Sequence, residues 1–154
     1  MRPAVEGMET ILEAAVDYKV KKVIVTSSLI NMMGNVWKRA SGDHHYTESD
    51  FAPYESSDPY AKSKLAQEQV CRVFIELQER DTERHKVEVV TLHPTSVFGP
   101  TLLADASGSI EGILKIFNRT IPGIPEMWLP IVDVRDAAES HIKALLKEPW
   151  VLHG

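Results

Sequence analysis

The fold is decided by one stretch, Val20-Lys21-Lys22-Val23-Ile24-Val25-Thr26-Ser27-Ser28. Two lysines lead into a β-branched run, and two serines follow it. A short apolar run bounded in this way is typical of a buried strand that opens into a loop. Residues 87–92 (VEVVTL) repeat the pattern and stop before Pro94. The sequence therefore predicts two buried strands, each ending in polar residues or a proline.

Helical spacing separates and follows these strands. Apolar residues recur every three or four positions in 4–18, 59–80 and 133–146, and a shorter helix is predicted near 109–118. Trp128 to Val132 is consistent with one more short strand. Helices that alternate with strands predict an α/β fold, with a parallel sheet flanked by helices.

Length, charge and cysteine content exclude several classes of protein. With 154 residues and a formal charge of -5, the chain is long enough for one domain and carries no basic stripe for nucleic acid. No apolar run reaches membrane-spanning length, and no signal-peptide pattern is present. The single cysteine, Cys71, lies among apolar helical positions, so we expect a core thiol and a cytoplasmic protein. Asp43-His44-His45 lacks a third ligand at suitable spacing, and no metal site is predicted.

Tyr60 and Lys64 stand four residues apart at a predicted helix start, after the N-cap Asp58 and the first helical residue Pro59. Residues i and i+4 share one face of a helix, so a phenol and an ammonium lie side by side. An ammonium stabilises a neighbouring phenolate, which favours proton transfer near neutral pH. On its own the pair is more typical of a solvated lysine beside a packed tyrosine.

Three segments are expected to converge on this pair. Ser27-Ser28 and the segment from Pro94 to Val97 follow the two predicted strands, and the helix of Tyr60 starts on the same side. Parallel sheets bind ligands at the carboxyl ends of their strands. The polar residues 29–56 are predicted to form a long loop, a feature often linked to function or to disorder.

Seven stretches in order resemble the extended short-chain dehydrogenase/reductase family, and within it the dihydroflavonol reductase and cinnamoyl-CoA reductase group. They cover almost the whole chain, and together they are far more specific than any one alone. The stretches are 2–7 (RPAVEG), 11–15 (ILEAA), 20–28 (VKKVIVTSS), 46–50 (YTESD), 60–64 (YAKSK), 93–100 (HPTSVFGP) and 132–141 (VDVRDAAESH).

The resemblance implies an oxidoreductase that reduces a carbonyl, or oxidises the matching secondary alcohol, with a nicotinamide cofactor. NADP is the expected cofactor, and NAD is possible. By motif, Tyr60 resembles the general acid/base, and Lys64 the residue that supports it and binds the nicotinamide ribose. Ser28 resembles the serine that hydrogen-bonds the reacting oxygen, with Ser27 as the less favoured candidate.

The same resemblance implies further contacts to cofactor and substrate. The turn of Pro94, Thr95 and Val97 would lie against the nicotinamide carboxamide, and Ser109 would add a cofactor contact. Leu102, Leu103 and the loop after Ser28 would border a small carbonyl or alcohol substrate.

One departure from the family is large. No G-x-x-G-x-x-G pattern occurs, so the N-terminal strand–helix–strand unit that binds the pyrophosphate is expected to be missing. Residues 1–154 are therefore interpreted as one partial Rossmann-like domain, in which the substrate-binding part starts near 101. Two alternatives share the tyrosine and lysine: a nucleotide-sugar epimerase or dehydratase, and a hydroxysteroid dehydrogenase. A third alternative is a truncated, non-catalytic chain that acts by association. With any of these functions, a homodimer through helices 4–18 and 59–80 is possible.

Overall fold

The computed structural model describes residues 2–33, 47, 50, 58–102, 108–123 and 129–147. Within these ranges five helices and four strands alternate, which confirms the predicted α/β class. The elements are α1 (Arg2–Asp17), β1 (Lys22–Thr26), α2 (Ile30–Met33), α3 (Pro59–Arg80), β2 (Glu88–Leu92), β3 (Ser96–Phe98), α4 (Gly108–Phe117), β4 (Ile131–Asp133) and α5 (Val134–Leu146).

The strands pair in parallel, as predicted, but in two sheets. β1 pairs with β2 along its whole length, from Lys22 opposite Glu88 to Thr26 opposite Leu92. β3 pairs with β4 over three residues. Each sheet has two strands among the described residues, so the expected single sheet is divided. The carboxyl ends of β1 and β2 nevertheless meet at one edge, which is the arrangement that the site requires.

The segment after Pro94 was predicted to be a turn, and this is wrong for its second half. Ser96 begins β3, and its N–H donates to the Pro130 carbonyl oxygen over 3.3 Å. Three residues are too few to show a strand periodicity in sequence. Gly99 ends this strand with φ of +149°, and a Cβ there would lie 2.5 Å from Val134 Cγ1. Glycine is thus required where β3 passes the start of α5.

The helix caps follow the sequence closely. Asp58 accepts hydrogen bonds from the N–H groups of Tyr60 and Ala61, with Pro59 as the first residue of α3, which confirms the predicted start. Asp133 caps α5 and pairs with Arg135. Asp133 is also the last residue of β4, so α5 begins one residue later than predicted.

Other boundaries move by a few residues. The first helix spans Arg2–Asp17 instead of 4–18. The last strand is Ile131–Asp133 rather than Trp128 to Val132, and Trp128 lies outside the described residues. The predicted loop 29–56 contains the short helix α2 at its start. Residues 34–46, 48, 49 and 51–56 of that loop lie outside the described residues.

The apolar core lies between α1, α3 and the β1–β2 sheet. It is formed by Met8, Leu12, Val25 and Cys71. The predicted burial of Cys71 is confirmed, and desolvation raises the pKa of its thiol to about 11. Leu77, an apolar residue of α3, is 57% exposed. It lies in the last turn of the helix, which ends at Arg80.

Helix α5 buries less than its pattern predicted. Ile142 and Leu145 are 56% and 55% exposed. The side that packs on the strands carries Val134, His141 and Ala144, which are half-buried. A two-stranded sheet offers a narrow surface, so it covers one stripe of the helix and leaves the neighbouring apolar stripe in contact with water.

No helix in the described ranges combines the length and the apolar character needed to cross a bilayer. The His, Cys, Asp and Glu side chains of those ranges form no group of three that could hold a metal ion. Asp43-His44-His45 falls outside the described residues.

Candidate active site

Lys64 is held at the carboxyl end of β1. Its Nζ donates to the Thr26 carbonyl oxygen over 3.0 Å. The side chain is half-buried, and desolvation lowers the pKa of the Lys64 ammonium. The carbonyl of Thr26, the last residue of β1, thus holds the Lys64 ammonium in place. Thr26 lies two residues before Ser28 in the sequence.

Tyr60 lies one helical turn before Lys64, on the same face of α3. The residue is 54% exposed, so its phenol is accessible to a ligand. The backbone around it is fixed by the Asp58 cap and by a 2.7 Å hydrogen bond from Ser63 Oγ to the Tyr60 carbonyl oxygen. An accessible phenol therefore stands on an ordered first turn, beside a fixed ammonium.

The two serines after β1 point to different environments. Ser27 is 3% exposed, and its Oγ accepts a 2.9 Å hydrogen bond from Asn31 Nδ2. Ser28 is half-buried, and its Oγ accepts the N–H of Ile30 over 3.3 Å at the start of α2. The Ser28 hydroxyl keeps its own proton for donation. This difference favours Ser28 over Ser27 as the group that meets a substrate.

Asn31 joins the serine segment to the helix of Lys64. Besides its bond to Ser27, its Nδ2 donates to the Lys64 carbonyl oxygen over 3.2 Å. The side chain is fully buried. Sequence reasoning missed this residue because it lies inside a stretch predicted to be loop. Its amide links α2 to α3 at Lys64, a residue of the candidate site.

The Pro94 segment lies beside the serines. The Leu29 N–H donates to the Pro94 carbonyl oxygen over 3.1 Å, and the Ser27 N–H donates to the Leu92 carbonyl oxygen over 2.7 Å. The ends of β1 and β2 are therefore linked, as the sequence predicted. The Thr95 hydroxyl donates a hydrogen bond to the Pro130 carbonyl oxygen within the chain.

The remaining predicted contacts lie further along the chain. Val97 is in β3, opposite Val132 of β4. Ser109 is half-buried in the first turn of α4, and no described hydrogen bond joins it to Ser28, Tyr60 or Lys64. Leu102 is fully exposed, and Leu103 lies outside the described residues. The structure thus brings together the serine, lysine and Pro94 segments but not Ser109.

A buried carboxylate lies one turn beyond Lys64. Glu68 is 1% exposed, and its two oxygens meet Thr91 Oγ1 and His93 Nε2, each at 3.2 Å. Arg72 Nη2 lies 3.4 Å from Oε1 of the same carboxylate. Burial alone would raise the pKa of Glu68, but hydrogen bonds from His93 and Ser27, with the charges of His93 and Arg72, hold it below its usual value.

His141 has a structural role in α5. Its Nδ1 lies 2.7 Å from the Ala137 carbonyl oxygen, to which it can only donate. In the neutral ring, Nε2 then accepts the Thr26 hydroxyl over 2.8 Å. Thr26 therefore contacts α5 through its side chain and Lys64 of α3 through its carbonyl.

Comparisons with known proteins agree with this architecture. The NAD dependent epimerase/dehydratase family matches residues 1–150. Cinnamoyl-CoA reductase 1 of Arabidopsis thaliana is 30% identical over 146 residues, which cover 92% of this chain and 40% of the relative. NADPH-dependent methylglyoxal reductase of Saccharomyces cerevisiae is 30% identical over 165 residues, with coverages of 97% and 47%. The chain spans less than half the length of these relatives.

Solved structures show the same fold. Vestitone reductase from alfalfa has a TM-score of 0.61 and 26% identity, over 95% of this chain and 46% of its own. UDP-glucose 4-epimerase of Thermus thermophilus, solved with NAD, has a TM-score of 0.66 and 24% identity, over 94% and 46%. The partial Rossmann-like fold is thereby confirmed. The chain belongs to the NAD dependent epimerase/dehydratase family, as an extended short-chain dehydrogenase/reductase like the dihydroflavonol and cinnamoyl-CoA reductases.

Proposed function

We propose that this chain carries the proton-handling side of a NAD(P)-dependent reductase site, which reduces a carbonyl or oxidises the matching secondary alcohol. The observation that carries the proposal is the 3.0 Å hydrogen bond from Lys64 Nζ to the Thr26 carbonyl oxygen. It joins Lys64, one turn after Tyr60 in α3, to Thr26, two residues before Ser28. The relatives named as reductases support this reading.

The proposed roles follow from the charge that develops during reduction. A nicotinamide, when bound, supplies the hydride that adds to the carbonyl carbon. Negative charge then builds on the oxygen, and placed donors stabilise it. Tyr60 donates its phenolic proton to that oxygen, and the Ser28 hydroxyl donates a hydrogen bond to it. Lys64 stabilises the phenolate that remains, since an adjacent positive charge favours the ionised form. Oxidation of the alcohol runs through the same groups in reverse.

The described residues fit the nicotinamide–ribose end of such a cofactor. Lys64 offers an ammonium partly withdrawn from water, which suits the ribose hydroxyls, and Tyr60 is accessible beside it. Pro94, Thr95 and Val97 are proposed to line the carboxamide, and Ser109 to add a further contact. No glycine-rich pyrophosphate turn occurs in the sequence. NADPH is proposed over NADH, supported by the NADPH-dependent methylglyoxal reductase.

The substrate is proposed to be a small molecule with a reducible carbonyl, bound partly by residues from about 101 onwards. A panel of cinnamoyl-CoA, methylglyoxal, a hydroxysteroid and UDP-glucose separates this reading from the alternatives. NADPH consumption with either of the first two supports a reductase. Conversion of UDP-glucose in the presence of NAD, with no net change in the amount of oxidised cofactor, supports an epimerase instead. Turnover of the hydroxysteroid alone supports a hydroxysteroid dehydrogenase.

Tyr60→Phe tests the catalytic assignment. We expect NADPH-dependent turnover to fall by about a hundredfold to ten-thousandfold, because the ring remains but its proton does not. Tyr18→Phe is the matched control, since Tyr18 is 84% exposed at the end of α1 and lies far from β1's carboxyl end. Undiminished turnover in Tyr60→Phe would sink the assignment.

A second candidate function is association without catalysis. It is favoured by apolar side chains that α1 and α3 expose, namely Ile11 at 55%, Val73 at 42% and Leu77 at 57%. A homodimer through these two helices is proposed in either case. Light scattering after size exclusion measures the assembly, and calorimetry measures NADPH binding. A dimer with no measurable NADPH binding would favour association over reduction.

A further inference from the structure

A series of polar side chains follows α3. Tyr60, Lys64, Glu68 and Arg72 come at four-residue spacing, so each lies beside the next on the helix surface. Tyr60 is 54% exposed and Glu68 1%, whereas the Arg72 side chain is 39% exposed. The series therefore passes from an accessible phenol to a buried carboxylate at its third position.

An ionised carboxylate in the interior is expensive unless it is paired and hydrogen-bonded. An apolar residue at position 68 would fill the same space without that penalty. Glu68 is nevertheless supplied with donors from three elements: Ser27 after β1, Thr91 in β2 with His93 after it, and Arg72 on its own helix.

The donors of Glu68 come from the segments that hold the candidate site. Ser27 precedes Ser28, and its N–H donates to Leu92 at the end of β2. Lys64 lies one turn before Glu68 and reaches the Thr26 carbonyl oxygen. The titratable or charged groups that face the carboxylate are thus Arg72 from α3, His93 from the end of β2, and the buried Cys71 thiol.

We propose that Glu68 is a positioning residue for this site, an inference that rests on the proposed function. Its carboxylate joins α3 to the ends of β1 and β2 at once, and so fixes how far along the sheet the helix lies. That position sets Lys64 against the Thr26 carbonyl, with Tyr60 one helical turn before it. Glu68 has no access to a ligand, so it acts only through these neighbours.

Glu68→Gln tests the proposal, with Glu76→Gln as the matched control. Both residues lie on α3, two turns apart, and Glu76 is exposed. Glutamine keeps the size of the side chain but turns one acceptor oxygen into a donor, which cannot accept from His93 or Thr91. We expect turnover to fall about tenfold to a hundredfold, as a misplacement of about 1 Å does.

The pH profile of alcohol oxidation separates positioning from simple loss of folded protein. With Lys64 displaced, the phenolate is less stabilised, so the half-maximal rate moves to higher pH in Glu68→Gln. A smaller folded fraction would lower the rate at every pH and leave the profile in place. A profile and a rate equal to those of Glu76→Gln would overturn the proposal.

Amide spectra of the protein give a readout that needs no activity. We expect Glu68→Gln to shift the resonances of Thr26, Ser27, Ser28 and Lys64, and Glu76→Gln to leave them in place. If Glu68→Gln does not fold, Thr91→Val removes one donor at constant shape and should shift the same resonances less. Unmoved resonances in these variants contradict the role of Glu68. If the wild-type protein is inactive but Glu68→Gln shifts these resonances, the result contradicts the proposed function and not the role of Glu68.

Discussion

The described residues fall into two regions with different interiors. The first, residues 2–92, buries Leu12 and Cys71 together with the polar side chains of Asn31 and Glu68. The second, residues 96–147, has no buried side chain in α4 or α5. Its ion pairs, such as Glu139 with Lys143, lie at the surface and contribute little to stability.

This difference supports placing the proposed proton transfer in the first region. Withdrawing the Lys64 ammonium from water requires a packed interior, and only the first region of the described chain provides one. Ser28 and Lys64 are fixed there by hydrogen bonds to the ends of β1 and α2. Ser109, in the second region, lies in the first turn of α4. The first region thus holds the groups that are proposed to move protons.

Truncating one leucine in each region tests the comparison with the largest expected effect. Leu12→Ala, at a position 1% exposed, should lower the free energy of unfolding by about 2–5 kcal/mol, because it leaves a cavity in the core. Leu145→Ala, at a position 55% exposed, should lower it by less than about 1 kcal/mol. Urea unfolding measures both. Equal losses would show that the second region has a core of its own.

Two glycines in the second region sharpen the comparison. Gly99→Ala should cost about 1–3 kcal/mol, because φ is +149° and the new Cβ would meet Val134 at 2.5 Å. Gly112→Ala is the control, since nothing lies within 4 Å of a Cβ there and alanine is the better helix former. We expect Gly112→Ala to raise the thermal midpoint. A rise for Gly99→Ala would show that β3 does not constrain α5.

Lys22 joins the two regions. Its Nζ lies 3.2 Å from Glu88 Oε1 and donates to the carbonyl oxygen of Ala144 in the last turn of α5. A cation at a helix C-terminus is worth up to about 2 kcal/mol in partly buried geometry, so Lys22→Met should cost about 1–2 kcal/mol. The exposed Lys21→Met is the control. Hydrogen exchange should show faster opening of α5 in Lys22→Met alone. Unchanged exchange would contradict the link that Lys22 makes between β1 and α5.

Acid should weaken the first region through Glu68. The pKa of this carboxyl is lowered in the folded protein, so its stabilisation is complete above the unfolded value of about 4.3. It is lost as the pH falls through the folded value, where the unfolded chain has already taken up its proton. Unfolding free energies measured from pH 7 downward should therefore fall less steeply in Glu68→Gln than in wild type. Identical slopes would show that the carboxylate is not preferentially ionised in the fold.

Local signals in the sequence predicted most of the first region. Asp58 and Pro59 determine the start of α3 by themselves, and the β-branched runs determine β1 and β2. The family motifs brought Ser28, Tyr60 and Lys64 into one hypothesis. Because these signals depend on neighbouring residues alone, they were readable before any tertiary contact was known.

The errors arose where tertiary contacts decide the outcome. β3 is three residues long and exists because Ser96 and Val97 meet β4, which no local periodicity reports. Glu68 is a charged residue that is buried only because Thr91 and His93 are brought to it from another element. Its one sequence signal was the four-residue spacing after Lys64, which places it on the functional face of α3.

The most direct test of the central claim is calorimetric titration of NADPH into wild type, Lys64→Met and Lys62→Met. Lys62 is exposed on the same turn of α3, so it controls for the loss of a positive charge. We expect saturable binding by wild type, unchanged affinity in Lys62→Met and a clear loss of affinity in Lys64→Met. Equal affinities in both variants, or no binding by wild type, would contradict a cofactor site at the carboxyl end of β1.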